Sequence, residues 1–263
     1  MKRVAKVFLL GLGLWAAGSI ACAEDRLTLS VNGSTLTGTD GGAGGSIGWL
    51  HDFSPNVIAG AAYEVQSIAD EAHWHFGSLR GAYTGGEPGR KWSVSGEAHK
   101  GSGDDNVHHF TYQIVALGAS LPLYENLSLQ LEDRQIDIDT AHGNLPKIGL
   151  SYVWNPRVQT TVSYADSTGG NLGTYLSSLR FDLFPGTVHL IAGGVIGKAD
   201  SVVVNLQPGV RVPARTLHEG FLGVSRMFGR TEVLLLGDYL KLGSSERVTG
   251  TLNFTVHLGG SAK

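Results

Sequence analysis

Val248-Thr249-Gly250-Thr251-Leu252-Asn253-Phe254-Thr255-Val256-His257-Leu258 decides the fold class. Its even positions are apolar or small, and its odd positions carry Thr, Asn and His. Successive side chains of a strand point to opposite faces, so an alternation held this long reads as a strand and not a helix. Its length also suits the roughly 9–11 residues that a tilted strand needs to cross a bilayer.

The same pattern recurs toward the N-terminus. Leu27, Leu29 and Val31 oppose Thr28, Ser30 and Asn32, and Val57, Ala59, Ala61, Tyr63 and Val65 share a face. Trp92, Val94, Gly96 and Ala98 oppose Ser93, Ser95, Glu97 and His99. Phe110, Tyr112, Ile114 and Ala116 oppose His109, Thr111 and Gln113, and Leu127, Leu129 and Leu131 oppose Gln130, Glu132 and Arg134. Ile148 to Trp154, Val158 to Tyr164 and Tyr175 to Leu183 follow, the last placing Arg180 and Asp182 on its polar face. Segments at 44–53, 73–84, 187–197, 216–227 and 230–241 alternate less cleanly. Together they predict about fourteen strands, or twelve if two weak segments merge, in an all-β, antiparallel up-and-down transmembrane barrel.

The connections support that architecture. Every second one is short and turn-like: Ser54-Pro55, Gly85 to Arg90, Pro122 to Asn126, Asn155-Pro156, Pro185-Gly186 and Gly229. Those between are mostly longer and polar, at 38–43, 67–72, 100–106, 140–146, 166–172 and 198–215, with 242–245 only modestly so. Outer-membrane barrels alternate short periplasmic turns with longer external loops, and this parity puts both termini on the periplasmic side. Aromatic residues near strand ends (Trp49, Trp74, Trp92, Trp154, Tyr164, Phe181, Tyr239) fit interfacial girdles. A soluble sandwich or barrel is the competing architecture. Its exposed faces would carry more charge than these Ser-, Thr-, Asn- and Gln-rich ones.

Composition agrees. Only 16% of the chain is charged, 42% is hydrophobic, and 20 Lys and Arg against 23 Asp and Glu leave no basic footprint for nucleic acid. The 38 glycines carry no three-residue period, and no phosphate-loop Lys follows Gly41 to Gly45 or Gly193-Gly194. In a barrel they serve curvature and close approach.

Residues 1–23 read as a secretory signal peptide: Lys2, Arg3 and Lys6, then an apolar run, then Ala21-Cys22-Ala23 as the cleavage site. Lipid attachment at Cys22 is the alternative, which Ser19 disfavours. Cleavage after Ala23 removes the only cysteine and leaves 24–263 as one barrel domain. The C-terminal Gly259-Gly260-Ser261-Ala262-Lys263 lacks the terminal aromatic residue common in bacterial barrels.

Two stretches, Tyr164-Ala-Asp166-Ser167-Thr-Gly169-Gly170 with Ser177-Ser-Leu-Arg180, and Gly149-Leu-Ser-Tyr152, resemble the YaiO-like outer-membrane barrel family. The resemblance spans mainly residues 145–200. It implies an outer-membrane protein of a Gram-negative cell, related in shape to barrels that export polysaccharide, and it transfers no catalytic residue.

The expected role is accordingly non-enzymatic, a small pore or an accessory barrel for polysaccharide export or envelope assembly. Its lumen would carry Glu97, His99, His109, Glu132, Arg134, Arg180 and Asp182. Expected partners are outer-membrane lipid and lipopolysaccharide, the barrel-insertion machinery, and a polysaccharide or small polar solute, with no nucleic acid and no cofactor. A lipid-modifying enzyme built on His99 or His109 with Glu97, and a receptor barrel using the 198–215 loop, are the other function classes. His73-Trp74-His75 puts two imidazoles on one face, but the sequence supplies no third metal ligand.

Overall fold

The computed structural model describes residues 5–6, 24–37, 41–68, 72–87, 90–105, 109–139, 141–185, 187–201, 203 and 213–259. Apart from Ala5–Lys6, the expected signal segment and Cys22 lie outside the described residues. So do His108, most of the 198–215 loop and Gly260 to Lys263.

The wall consists of fourteen long strands. They are β1 (Asp25–Leu36), β2 (Gly41–Ser54), β3 (Val57–Ile68), β4 (Ala72–Gly85), β5 (Trp92–Asp105), β6 (His109–Tyr124) and β7 (Leu127–Ile138). They continue as β8 (Lys147–Asn155), β9 (Val158–Asp166), β10 (Tyr175–Leu183), β11 (Val188–Ala199), β12 (Arg215–Phe228), β13 (Thr231–Leu242) and β14 (Ser245–His257). Each pairs antiparallel with the next, and β14 closes on β1 from Arg247–Leu36 to His257–Arg26, so no wall edge is left open.

Two short pairings add no wall strand. Ala5–Lys6 touches Gly41–Gly42 and Ser67. Ala141–Asn144 is the loop-side end of β8, because Gln135–Asn144 and Glu132–Lys147 keep one register on β7. The ladder breaks at Pro146, which has no N–H. Its carbonyl still accepts from the Asp166 amide at 3.2 Å, while the reciprocal bond to β9 is missing. The connection expected at 140–146 is therefore a tight turn at Asp139, which takes a left-handed φ of 50°. Likewise β6 runs through Pro122 to Tyr124, with a bulge beside the proline.

Tracing the registers once round the wall returns to β1 displaced by about 14 residues, so shear equals strand number. With standard strand spacings this gives a tilt of about 35° and a backbone radius of about 13 Å. Such a tube is wide enough to be lined, and narrowed, by its own side chains.

The outward face carries Leu29, Val31, Ile47, Leu79, Leu117, Leu150, Leu222 and Leu235 in an exposed apolar band. Near the turn end it is bordered by Trp49, Tyr83, Trp92, Trp154, Phe228 and Phe254, and toward the loops by Tyr63, Tyr164, Tyr175 and Tyr239. Trp74, expected in such a girdle, instead faces inward and is buried, because β4 points its even positions into the lumen. No described helix is long and apolar enough to cross a membrane.

The lumen as the candidate functional site

Register and parity send one face of every strand into the lumen, and that lining is sorted along the barrel axis. A belt of charge crosses the middle. On β5, His99 Nε2 lies 2.6 Å from Glu97 Oε1, with Arg80 of β4 and Arg134 of β7 within electrostatic reach of Glu97. On β7, Glu132 sits between Arg134 at 3.2 Å and Lys147 of β8 at 2.7 Å. Closer to the turn end, Arg180 grips Asp182 through two bonds of 2.8 and 2.6 Å, and His189 of β11 adds a third contact at 2.9 Å. Arg26 pairs with Asp52 in the same region, and His257 with Glu24 at 2.7 Å.

Glu97, His99, Glu132, Arg134, Arg180 and Asp182 thus all sit on the inward face. The first four form one neighbourhood with Arg80 and Lys147; Arg180 and Asp182 form a second on β10. His109 is placed otherwise. It lies at the loop-side rim on the outward face of β6, paired with Asp104 at 2.9 Å and more than half exposed. The inward face of β6 carries Phe110, Tyr112, Ile114 and Ala116, all buried, so the polar face of that segment is the outer one. His73 and His75 also point outward from β4. The described residues contain no cluster of three or more His, Cys, Asp or Glu arranged for a metal.

The arrangement nearest to a catalytic relay is Asp182–His189, with Ser225 register-paired to His189. The Ser225 hydroxyl donates instead to Glu232 Oε1 at 2.7 Å, and the His189 ring stacks on Phe184 at 4.2 Å. The group has the partners of an ion network, and the serine is paired with Glu232 and not with His189.

Above the belt the lining turns apolar. Tyr112, Ile114, Ile136 and Ile138 pack with Ala165, with Leu145 beside the β8 break, and with loop residues Leu172 and Val203. Leu36, Val195, Ala199, Leu217, Leu240 and Leu242 form a second cluster, and Leu176 joins both. Trp74, Phe76 and Phe110 form a third with Ala72. The loops that reach this region are pinned together. Ser167 Oγ donates to the Leu172 carbonyl at 2.6 Å, the Asp200 amide donates to Thr174 Oγ1 at 3.0 Å, and Asn171 exchanges bonds of 2.8 and 2.9 Å with the His142 backbone. Gly170, at φ 64°, lets this loop pass close to His142, since a Cβ there would stand 2.0 Å from its carbonyl oxygen.

Beside the aromatic wall, β12 to β3 carry polar groups that the sequence reading did not single out: Glu219, Asp238, Arg247, Thr249, Thr251, Asn32, Glu64 and Gln66. Arg247 and Asp238 approach to 4.0 Å, both almost wholly buried, and Gln66 donates to Glu64 at 2.9 Å. Both polar side-chain atoms of Asn32, Gln66 Oε1 and the Thr251 hydroxyl are buried with no hydrogen-bond partner among the described residues. Each such group costs about 1–3 kcal/mol unless something supplies its bond. Parity already contained Glu64 and Gln66, which oppose the Val57–Val65 face. Asp238 was hidden because Leu234, Leu235 and Leu236 put leucine on both faces of β13.

No family model matches the sequence, and no characterised protein matches it by sequence. The fold does match solved structures. The CymD monoaromatic hydrocarbon channel superposes with a TM-score of 0.60 at 10% identity, over 90% of this chain and 89% of that one. The Acinetobacter baumannii outer membrane protein Omp33 gives 0.53 at 12%, over 89% and 98%. A bacterial polysaccharide outer membrane secretin gives 0.50 at 12%, over 90% and 98%. At these identities the likeness is one of fold: a closed outer-membrane β-barrel.

Proposed function

We propose that the chain is a non-enzymatic channel of the Gram-negative outer membrane, with its loops outside and both termini in the periplasm. The observation that carries this reading is the closed wall with an apolar, aromatic-bordered outer band around a charged and hydroxylated lumen. A bilayer satisfies the first surface and water the second. The fold it shares with outer-membrane channels supports the same reading. Lipid and lipopolysaccharide cover the band, the barrel-insertion machinery delivers the chain, and the solute is a small polar molecule or a saccharide segment. The resemblance to the YaiO-like barrels adds polysaccharide export as the cellular setting.

The charge belt is nearly balanced, with Glu97 and Glu132 against Arg80, Arg134 and Lys147, so the channel discriminates weakly between small ions. Purified, folded protein in planar bilayers is expected to give stepwise conductance. Folded protein that carries no current at any voltage would overturn the channel reading.

A further inference from the structure

We propose that the loop-side half of the lumen holds a saccharide subsite, formed where an aromatic floor on β4–β6 adjoins unpartnered amide and hydroxyl groups on β14–β3. The inference rests on the channel reading and adds the class of solute. One unbroken row of register partners carries it: Thr251, Asn32, Gly44, Gln66, Trp74, Gly103 and Phe110. The next row, Glu64–Phe76–Gly101–Tyr112, runs parallel to its aromatic half.

Glycines shape both halves. At Gly103 a Cβ would stand 2.4 Å from Trp74 Cβ and 2.5 Å from Phe110 Cζ, so the tip of the Phe110 ring lies over bare backbone beside Trp74. Phe76 and Tyr112 flank Gly101 with ring centroids 5.4 Å apart and planes 27° from parallel. At Gly44 a Cβ would meet the Gln66 amide at 2.2 Å, so that amide lies across the strand toward Asn32. The result is a packed aromatic cluster, with Trp74, Phe76, Phe110 and Tyr112 each less than a tenth exposed, beside a pair of amides, so a bound sugar ring stacks there by displacing side chains that fill this half of the lumen. Asn32, Gln66 and Thr251 are each more than nine-tenths buried, and Asn32 Oδ1 and Nδ2, Gln66 Oε1 and Thr251 Oγ1 have no partner among the described residues.

The chemistry selects among solutes. A hydrocarbon would use the rings and leave the amides and hydroxyls unpaired. A simple ion would use the polar groups and gain nothing from the rings. A sugar ring has an apolar C–H face to stack on an aromatic ring and hydroxyls that both donate and accept. Asn32 offers both functions, and Gln66 Oε1 and Glu64 accept.

The test measures block of ion current through the reconstituted channel by maltohexaose and by cellohexaose, with toluene as the apolar probe. At least one hexaose is expected to interrupt the current, and Trp74→Ala and Asn32→Ala each to weaken that block about tenfold relative to their own sugar-free current. Trp154→Phe, on the outward face, should leave it unchanged. Folding of each variant is checked by heat-modifiable gel mobility. Current that neither hexaose affects, block that survives both substitutions, or occupancy by toluene alone would overturn the subsite while leaving the channel intact. If folded protein carries no current, the channel reading fails by itself. Tryptophan fluorescence of the detergent-solubilised barrel then decides the subsite: a sugar-dependent change lost in Trp74→Phe supports it, and no change refutes it.

Discussion

Gly103→Ala tests whether the aromatic lumen wall is built as described, because its sign differs from that of the same change elsewhere. The new Cβ would lie 2.4 Å from Trp74 Cβ, 2.5 Å from Phe110 Cζ and 2.6 Å from the His73 carbonyl oxygen. Carbon contacts are comfortable at roughly 3.5–4.0 Å, so Trp74, Phe110 or the β4 backbone must move by about 1 Å. Overpacking of this kind costs about 1–3 kcal/mol. Against it stands about 0.4–1 kcal/mol gained because alanine restricts the unfolded chain. The net expectation is a loss of about 1–2 kcal/mol. At Gly77 and Gly220 a Cβ meets nothing within 4 Å, so Gly77→Ala and Gly220→Ala keep only the gain. The two kinds of variant should differ by about 2 kcal/mol, or roughly 4–8 °C in midpoint for a chain of this size. The assay is the fraction of folded, fast-migrating band after incubation at rising temperature in detergent. Equal midpoints for Gly103→Ala and Gly77→Ala would show that Phe110 and Trp74 do not pack against β5 at Gly103.

Further outcomes follow from the belt, the loops and the closing seam. Lys147→Glu places a second carboxylate beside Glu132 and should move the bi-ionic reversal potential toward cations; an unchanged potential would remove Lys147 from the conducting path. Leu172→Asp puts a charge into the apolar cluster under the 167–174 loop and should raise mean conductance by loosening the loop-side closure, whereas unchanged conductance would mean that the loop does not narrow the lumen. His257→Ala removes the partially exposed contact to Glu24 at the β14–β1 seam, and the seam should lose no more than about 1 kcal/mol, read as a small fall in gel-shift midpoint.

Strand identity was legible wherever hydrophobic alternation coincided with a lipid-facing side. β1, β5 and β14 show this: the apolar face is outside and Asn32, Glu97 and Thr251 are inside. It misled where the lumen itself is apolar. On β6 the buried Phe110, Tyr112 and Ile114 look like a lipid face, so His109 took the inward place it does not occupy. Trp74 resembled a girdle residue for the same reason. The candidate subsite was beyond reach because its members are near only through register: Thr251, Asn32, Gly44, Gln66 and Trp74 stand side by side on five strands. No local motif encodes that row. The connection at 140–146 was overestimated because His142 and Asn144 look like loop residues, yet they extend β8 beyond the apolar band.

Closure of the wall between β14 and β1 within the outer membrane underlies every reading of the lumen. The direct measurement is electrophoretic mobility of the protein from isolated outer-membrane fractions, with and without boiling in detergent. A closed barrel should run faster unboiled and slow to its full apparent mass after heating. A protein recovered in the soluble periplasmic fraction, or one whose mobility ignores heating, would contradict the account.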